Sequence, residues 1–223
     1  MHLRPPAILA TAAALSLGAT ACGSDDSSTS SSSGTSSSSQ QAEPVAKIDS
    51  LTGKSTAVTL DAGFVDALTQ LKLTPSPVGN ATITKQGIAS FPITGGNVTY
   101  FKPGSVSPYV QGEIDHSGSG LQLKGGGKTV QLTDFVVDPG KSVLTGKVTV
   151  NGSEAAASAP LFFLDGRTLK PLEVNDNGTA VLEGTTVKFK DESAQLLNKT
   201  FGVDALKGGL EVGVAKITIN TSA

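Results

Sequence analysis

From Val45 to Ala223 the chain runs in short segments that alternate apolar and polar residues and are cut by glycine-rich turns. This texture constrains the fold more than any other feature. A period of two places successive side chains on opposite faces, which is the pattern of half-buried strands and not of helices. In 121-LQLKGGGKTVQL-132, Leu121 and Leu123 alternate with Gln122 and Lys124, three glycines turn the chain, and Val130 and Leu132 resume the alternation. The stretch 91-FPITGGNVTYF-101 reads as a second hairpin, with Phe91 and Ile93 facing Val98 and Tyr100 across Gly95-Gly96. A third pairs FVVD with 143-VLTGKVTV-150 through the Asp138-Pro139-Gly140 turn, putting Leu144, Gly146, Val148 and Val150 on one face. The run 161-LFFL-164 is apolar on both faces and reads as a central strand closed by Asp165-Gly166. This spacing predicts an all-β fold, an antiparallel β-sandwich or a barrel-like sheet.

Two segments leave the period of two. In 61-DAGFVDALTQL-71, Asp61 is placed to cap a helix whose apolar stripe is Phe64, Val65, Leu68 and Leu71. In 191-DESAQLLNKTFG-202, Asp191 is the expected cap, Ala194, Leu197 and Phe201 form the stripe, and Gly202 ends the helix. Both are short and amphipathic. Each follows a strand and precedes a segment opening V-G-x-A-x-I-T (78-VGNATIT-84 and 212-VGVAKIT-218), which reads either as a degenerate repeat or as chance similarity of two β-rich stretches.

Ahead of this lies MHLRPPAILATAAALSLGATACGSDD. Arg4 supplies a positive start, and Ala7 to Gly18 form an apolar run short of the roughly 20 residues a spanning helix needs. Small residues then lead to Cys22, the single cysteine of the 223 residues. This order resembles a bacterial lipoprotein signal with its lipobox, which implies cleavage after residue 21 and lipidation of Cys22. Two or three acyl chains would anchor the protein stably. The expected organisation is therefore a signal peptide (1–21), a lipidated Cys22 with a Ser-rich tether (22–43) and one extracytoplasmic β-rich domain (44–223). The tether has no aromatic or large aliphatic residue and cannot repay the entropy of ordering. Its span as a random coil is on the order of 25 Å.

With the leader gone, Arg4 and His2 go too, leaving 16 of the 17 Lys+Arg against 19 Asp+Glu, and His116 as the only histidine. The charges form no basic stripe, so neither nucleic acid nor anionic lipid headgroups are expected as electrostatic partners. A lipidated Cys22 leaves no thiol for zinc, nucleophilic or redox chemistry.

The candidate sites are few. His116, in 112-GEIDHSGSGL-121, reads as an imidazole near a turn, half exposed, at a hinge where Ser117 to Gly120 bend the chain into the next hairpin. Its neighbour Asp115 points to the opposite face of an extended strand, so the two form no acid–base dyad. A ligand-contacting role is the alternative. Tyr100 and Tyr109 flank 102-KPGSVSP-108 and read either as packing at a strand end or as the rim of a site for an apolar or planar ligand. The oxygen-rich 175-NDNGT-179 has too few carboxylates for calcium and reads as an Asn-Gly turn. The glycine clusters 95–96 and 125–127 open no helix and precede no Lys-Ser/Thr pair, so they read as turns and not as phosphate cradles. No nucleophile–base pair can be assembled, and Trp, the usual sugar platform, is absent. No metal site and no catalytic residue are predicted.

The order of the first helix, G-G-x-V, G-x-I followed by Gly-Ser-Gly-Leu, an x-V-x-L-x-D/N-F strand, a second short helix and a closing Gly-rich strand resembles the HtaA-type domain. The similarity runs over most of residues 55–219. That family comprises actinobacterial surface domains associated with haem uptake, and the resemblance implies a β-sandwich carrying two short helices. Its haem-binding members carry a Tyr near the end of the first helix, where this chain has 64-FVDALTQL-71, and a His in the following Gly-rich region. On a gapless match His116 takes the place of an aromatic slightly earlier than that His. The resemblance thus implies the fold more than the haem site, since a lone His lacks the Tyr that would ligate ferric iron.

The sequence therefore predicts a non-enzymatic envelope lipoprotein, held to the extracytoplasmic face of the membrane through Cys22. Its domain would bind a small planar ligand or an envelope polymer or protein, or serve structurally; no resident cofactor is expected. The alternative is haem or tetrapyrrole binding of the HtaA type. The sequence leaves the oligomeric state open.

Overall fold

The computed structural model describes residues 42–221; the signal segment, Cys22 and nearly all of the Ser-rich tract lie outside them. The strands are β1 (Ala46–Ile48), β2 (Gly53–Leu60), β3 (Thr74–Gly79), β4 (Thr82–Ile83), β5 (Ile88–Pro92), β6 (Gly95–Tyr100) and β7 (Val110–Gly125). They continue as β8 (Lys128–Asp138), β9 (Val143–Val150), β10 (Ser153–Asp165), β11 (Glu173–Asn175), β12 (Thr179–Phe189) and β13 (Glu211–Asn220). Two helices interrupt them, α1 (Ala62–Gln70) after β2 and α2 (Asp191–Phe201) after β12.

The strands form one sheet in the order β1-β6-β7-β8-β9-β10-β12-β13-β2-β5-β4, with β11 added beside β12 and β3 beside β7. Every pairing between these strands is antiparallel. The all-β expectation holds in its barrel-like form: the sheet curls into a half-barrel whose concave face is apolar. The curl is visible where the two ends of the path meet. His116 on β7 bonds to Thr56 on β2, and Phe91 on β5 stacks edge-on against Phe135 on β8 with ring centroids 5.3 Å apart.

The period of two builds this face directly. Val110, Ile114 and His116 on β7, Phe135 and Val137 on β8, and Ala215, Ile217 and Ile219 on β13 all turn toward the concavity. Where β2 and β12 finish, α1 and α2 follow and pack onto the sheet. Asp61 accepts from the Phe64 N–H at 3.1 Å and sets the start of α1, as expected for a cap. Phe64 and Leu68 are then buried, each worth roughly 1.5–3 kcal/mol. Phe64 meets Phe189, and Phe189 meets Phe162, at 5.9 and 5.3 Å between centroids. In α2 the cap is Lys190, with Asp191 the first helical residue; Gly202 ends the helix in the left-handed conformation at φ 72°. Asp191 therefore favours the helix dipole without capping it.

Some local readings change. The β7–β8 hairpin turns through Gly126 and Gly127 at φ 55° and 74°, and the β8–β9 hairpin forms as expected. Gly95-Gly96, however, is no turn: both residues open β6 and pair with Asp115 and Ile114 of β7, while β5 pairs with β2 and β4. In LFFL, Leu161, Phe162 and Leu164 are buried but Phe163 is exposed. The two V-G-x-A-x-I-T segments are not equivalent. VGVAKIT lies within β13, whereas VGNATIT ends β3 at Gly79, with φ 60°, and restarts in β4.

Candidate functional site

The concave face encloses a cavity of about 760 Å³, within the range of small-molecule sites. Its lining is overwhelmingly aliphatic and aromatic. The helices pack at one end of the sheet, and none of their residues lines the cavity. The other end is a mouth, where β1, β7, β9 and β12 begin and β8, β10 and β13 finish. Ala46, Tyr109, Ser142, Arg167, Val174 and Thr221 stand around it.

All three residues singled out from the sequence line this cavity. Tyr100 and Tyr109 lie near the mouth as an edge-to-face pair, centroids 5.9 Å apart at 89°. Tyr100 is buried and Tyr109 half-buried; burial, with Tyr100 alongside, pushes the Tyr109 phenol above its ordinary value. Neither hydroxyl has a hydrogen-bond partner among the described residues.

His116 is not the half-exposed hinge residue the sequence suggested. It is 2 % exposed, at the inner part of the cavity wall, and β7 runs straight through the supposed bend. Ser117, Gly118 and Ser119 bulge opposite the single residue Asp134, between the pairs His116–Phe135 and Gly120–Thr133. Nδ1 lies 3.3 Å from the Phe135 carbonyl oxygen and Nε2 2.8 Å from Thr56 Oγ1. A carbonyl only accepts, which assigns the proton to Nδ1 and makes Thr56 the donor to Nε2. Burial lowers the imidazole to about 4, so at neutral pH it is uncharged and both nitrogens are occupied. It can act neither as a base nor as a metal ligand without giving up one of these bonds.

A charged cluster beside the cavity, where β10 ends, was not foreseen. Asp165, 7 % exposed in its side chain, accepts from Arg167 Nε at 2.8 Å and Nη2 at 2.6 Å, and from Lys188 Nζ at 2.9 Å. These bonds, Arg167 first, hold its carboxyl well below the usual carboxylate range. The DG dipeptide signalled a turn, but only the fold brings Lys188 from β12 onto it. The 175–179 segment is the β11–β12 turn, with Thr179 Oγ1 donating to Asn177 Oδ1 at 2.6 Å. Among the described residues no three His, Cys, Asp or Glu cluster as metal ligands would.

No protein-family model and no curated protein matches the chain. Among solved structures it is similar to the C-terminal domain of HtaA from Corynebacterium glutamicum, with a TM-score of 0.50 and 12 % identity over 77 % of this chain and 98 % of that one. A domain-swapped dimer of a His-to-Ala variant of the same domain matches at 12 % identity and a TM-score of 0.44, covering 71 % and 90 %. The domain thus has an HtaA-like fold, as the glycine and apolar spacing implied.

Proposed function

We propose that this chain is a membrane-anchored envelope lipoprotein whose half-barrel binds an apolar small molecule and catalyses nothing. The carrying observation is the cavity: about 760 Å³, lined mostly by apolar side chains and reaching exposed residues such as Arg167, Val174 and Thr221. No group in it is poised for acid–base or nucleophilic work, since its one imidazole is neutral and doubly bonded. The test uses the full chain bearing Cys22→Ser, which removes the lipid, titrated with the neutral apolar dye Nile red. Saturable binding that is lost in Ile217→Trp and Leu182→Trp, two half-buried lining positions, supports the reading. Binding unchanged in both variants overturns it. The anchor is tested separately: Cys22→Ser abolishes palmitate labelling and detergent-phase partitioning, and unchanged partitioning refutes the anchor.

A second reading, a haem or other planar ligand, is favoured by the HtaA-like fold and by the Tyr100–Tyr109 pair beside the mouth. Hemin titration separates it: a saturable Soret shift that depends on Tyr109 supports it, and a shift indifferent to both tyrosines and His116 removes it.

A further inference from the structure

We infer that the occupant of the cavity is the acyl chain of an anionic membrane amphiphile, entering through the mouth with its head group at Arg167. This deepens the ligand-binding reading and rests on it. The buried His116 and Thr56 side chains are already spent: they bond each other, and His116 bonds the Phe135 carbonyl. An occupant with polar atoms along its length would bury them unpaired, whereas a hydrocarbon chain strands nothing.

The lining carries the complementary charge at Arg167. Arg167 and Lys188 share one carboxylate, Asp165, so the cluster carries net positive charge. Arg167 is 83 % exposed and spends Nε and Nη2 on Asp165, and its Nη1 has no partner among the described residues. A carboxylate or phosphate head group fits there while its chain runs inward.

The mouth also shows apolar side chains outward. Val174 on β11 is 67 % exposed, and Val45, just before β1, is 64 % exposed. Val45 marks where the Ser-rich tether joins the domain, its N–H bonded to the Tyr100 carbonyl at 2.8 Å. The described residues thus begin beside Ala46, which lines the cavity. Tyr109, half-buried on the same rim, suits a surface that is apolar on one side and wet on the other.

The experiment uses the full chain with Cys22→Ser and two probes. Parinaric acid, a fluorescent long-chain fatty acid, is expected to bind saturably. Arg167→Gln should weaken it about five- to tenfold while leaving its methyl ester unaffected, as loss of one rim charge-assisted contact implies. With vesicles of phosphatidylcholine and pyrene-labelled phosphatidylglycerol, the protein is expected to take up the labelled lipid. Val45→Asp and Val45→Gln should each slow this severalfold without changing affinity for parinaric acid. Nile red binding without parinaric acid binding overturns the acyl-chain proposal and leaves the apolar site standing. Failure of both probes removes the two together. Equal loss of acid and ester in Arg167→Gln, or transfer indifferent to the valine changes, overturns the assigned head group or mouth.

Discussion

His116 Nε2 accepts a hydrogen bond from Thr56 Oγ1 at 2.8 Å, joining β7 to β2 across the concave face. These strands are far apart along the sheet path, so the bond ties the curl together from its concave side. Removing the imidazole leaves the Thr56 hydroxyl without its partner, takes one hydrogen bond from the Phe135 carbonyl and opens space beside Phe91, whose ring lies edge-on 6.4 Å away. His116→Ala is therefore expected to destabilise the domain by about 2–4 kcal/mol, and Thr56→Val by about 1 kcal/mol. Urea unfolding checks both; a His116→Ala midpoint equal to the wild type would refute the tie.

The same residue gives stability a pH signature. In the unfolded chain the imidazole has its ordinary value of 6.5, and in the folded one about 4, because burial disfavours its charged form. As pH falls below 6.5 the unfolded state takes up the proton first, so stability declines from there down to about pH 4. The full loss is about 3 kcal/mol, and above pH 7.5 the group contributes no slope. His116→Gln is expected to flatten this window. Asp165 acts at lower pH: its carboxyl is held down by Arg167 and Lys188, so its contribution is present above the ordinary carboxylate range and is lost as pH falls below it. Unfolding midpoints at successive pH values, wild type against His116→Gln and Asp165→Asn, separate the two.

Much of the fold was legible because local pattern and tertiary partner agreed. Asp61 and the Phe64/Leu68 stripe specify α1 by themselves, and three glycines between alternating runs specify the β7–β8 hairpin. Gly95-Gly96 carried the same local signal for a different cause. At Gly96, with φ 114°, a Cβ would lie 2.0 Å from the Glu113 carbonyl oxygen, so glycine there admits the close approach of β7 and not a turn. The candidate site followed the same division. Tyr100, Tyr109 and His116 could be named, but their common cavity arises from pairings distant in sequence. The burial of His116 was hidden because its neighbours Asp115 and Ser117 are polar, and only the β7 bulge and the return of β2 cover it.

That bulge has its own signature. Asp134, opposite Ser117–Ser119, sits at φ 52°, and its Oδ1 accepts from the Gly118 N–H at 2.8 Å. Asparagine tolerates the left-handed region and retains an acceptor; alanine has neither advantage. Asp134→Asn is expected to be near neutral and Asp134→Ala to cost about 1–2 kcal/mol. Equal thermal midpoints for the two variants would show that the bulge does not depend on this side chain.

Iron coordination is the sharpest separation between the planar-ligand reading and the acyl-chain one. His116 would have to surrender its bond from Thr56 to offer Nε2, and the Tyr109 phenol is pushed above its ordinary value by burial and by Tyr100 beside it. A phenolate is therefore harder to form there than in water, and an imidazole ligand costs a buried hydrogen bond. Hemin added to the full chain with Cys22→Ser at pH 7 is expected to give neither a histidine-ligated low-spin spectrum nor a tyrosinate-to-iron charge-transfer band. Thr56→Val, which frees Nε2, is expected to favour histidine ligation relative to the wild type. A tyrosinate band at neutral pH that vanishes in Tyr109→Phe would reverse this ordering and place haem in the cavity.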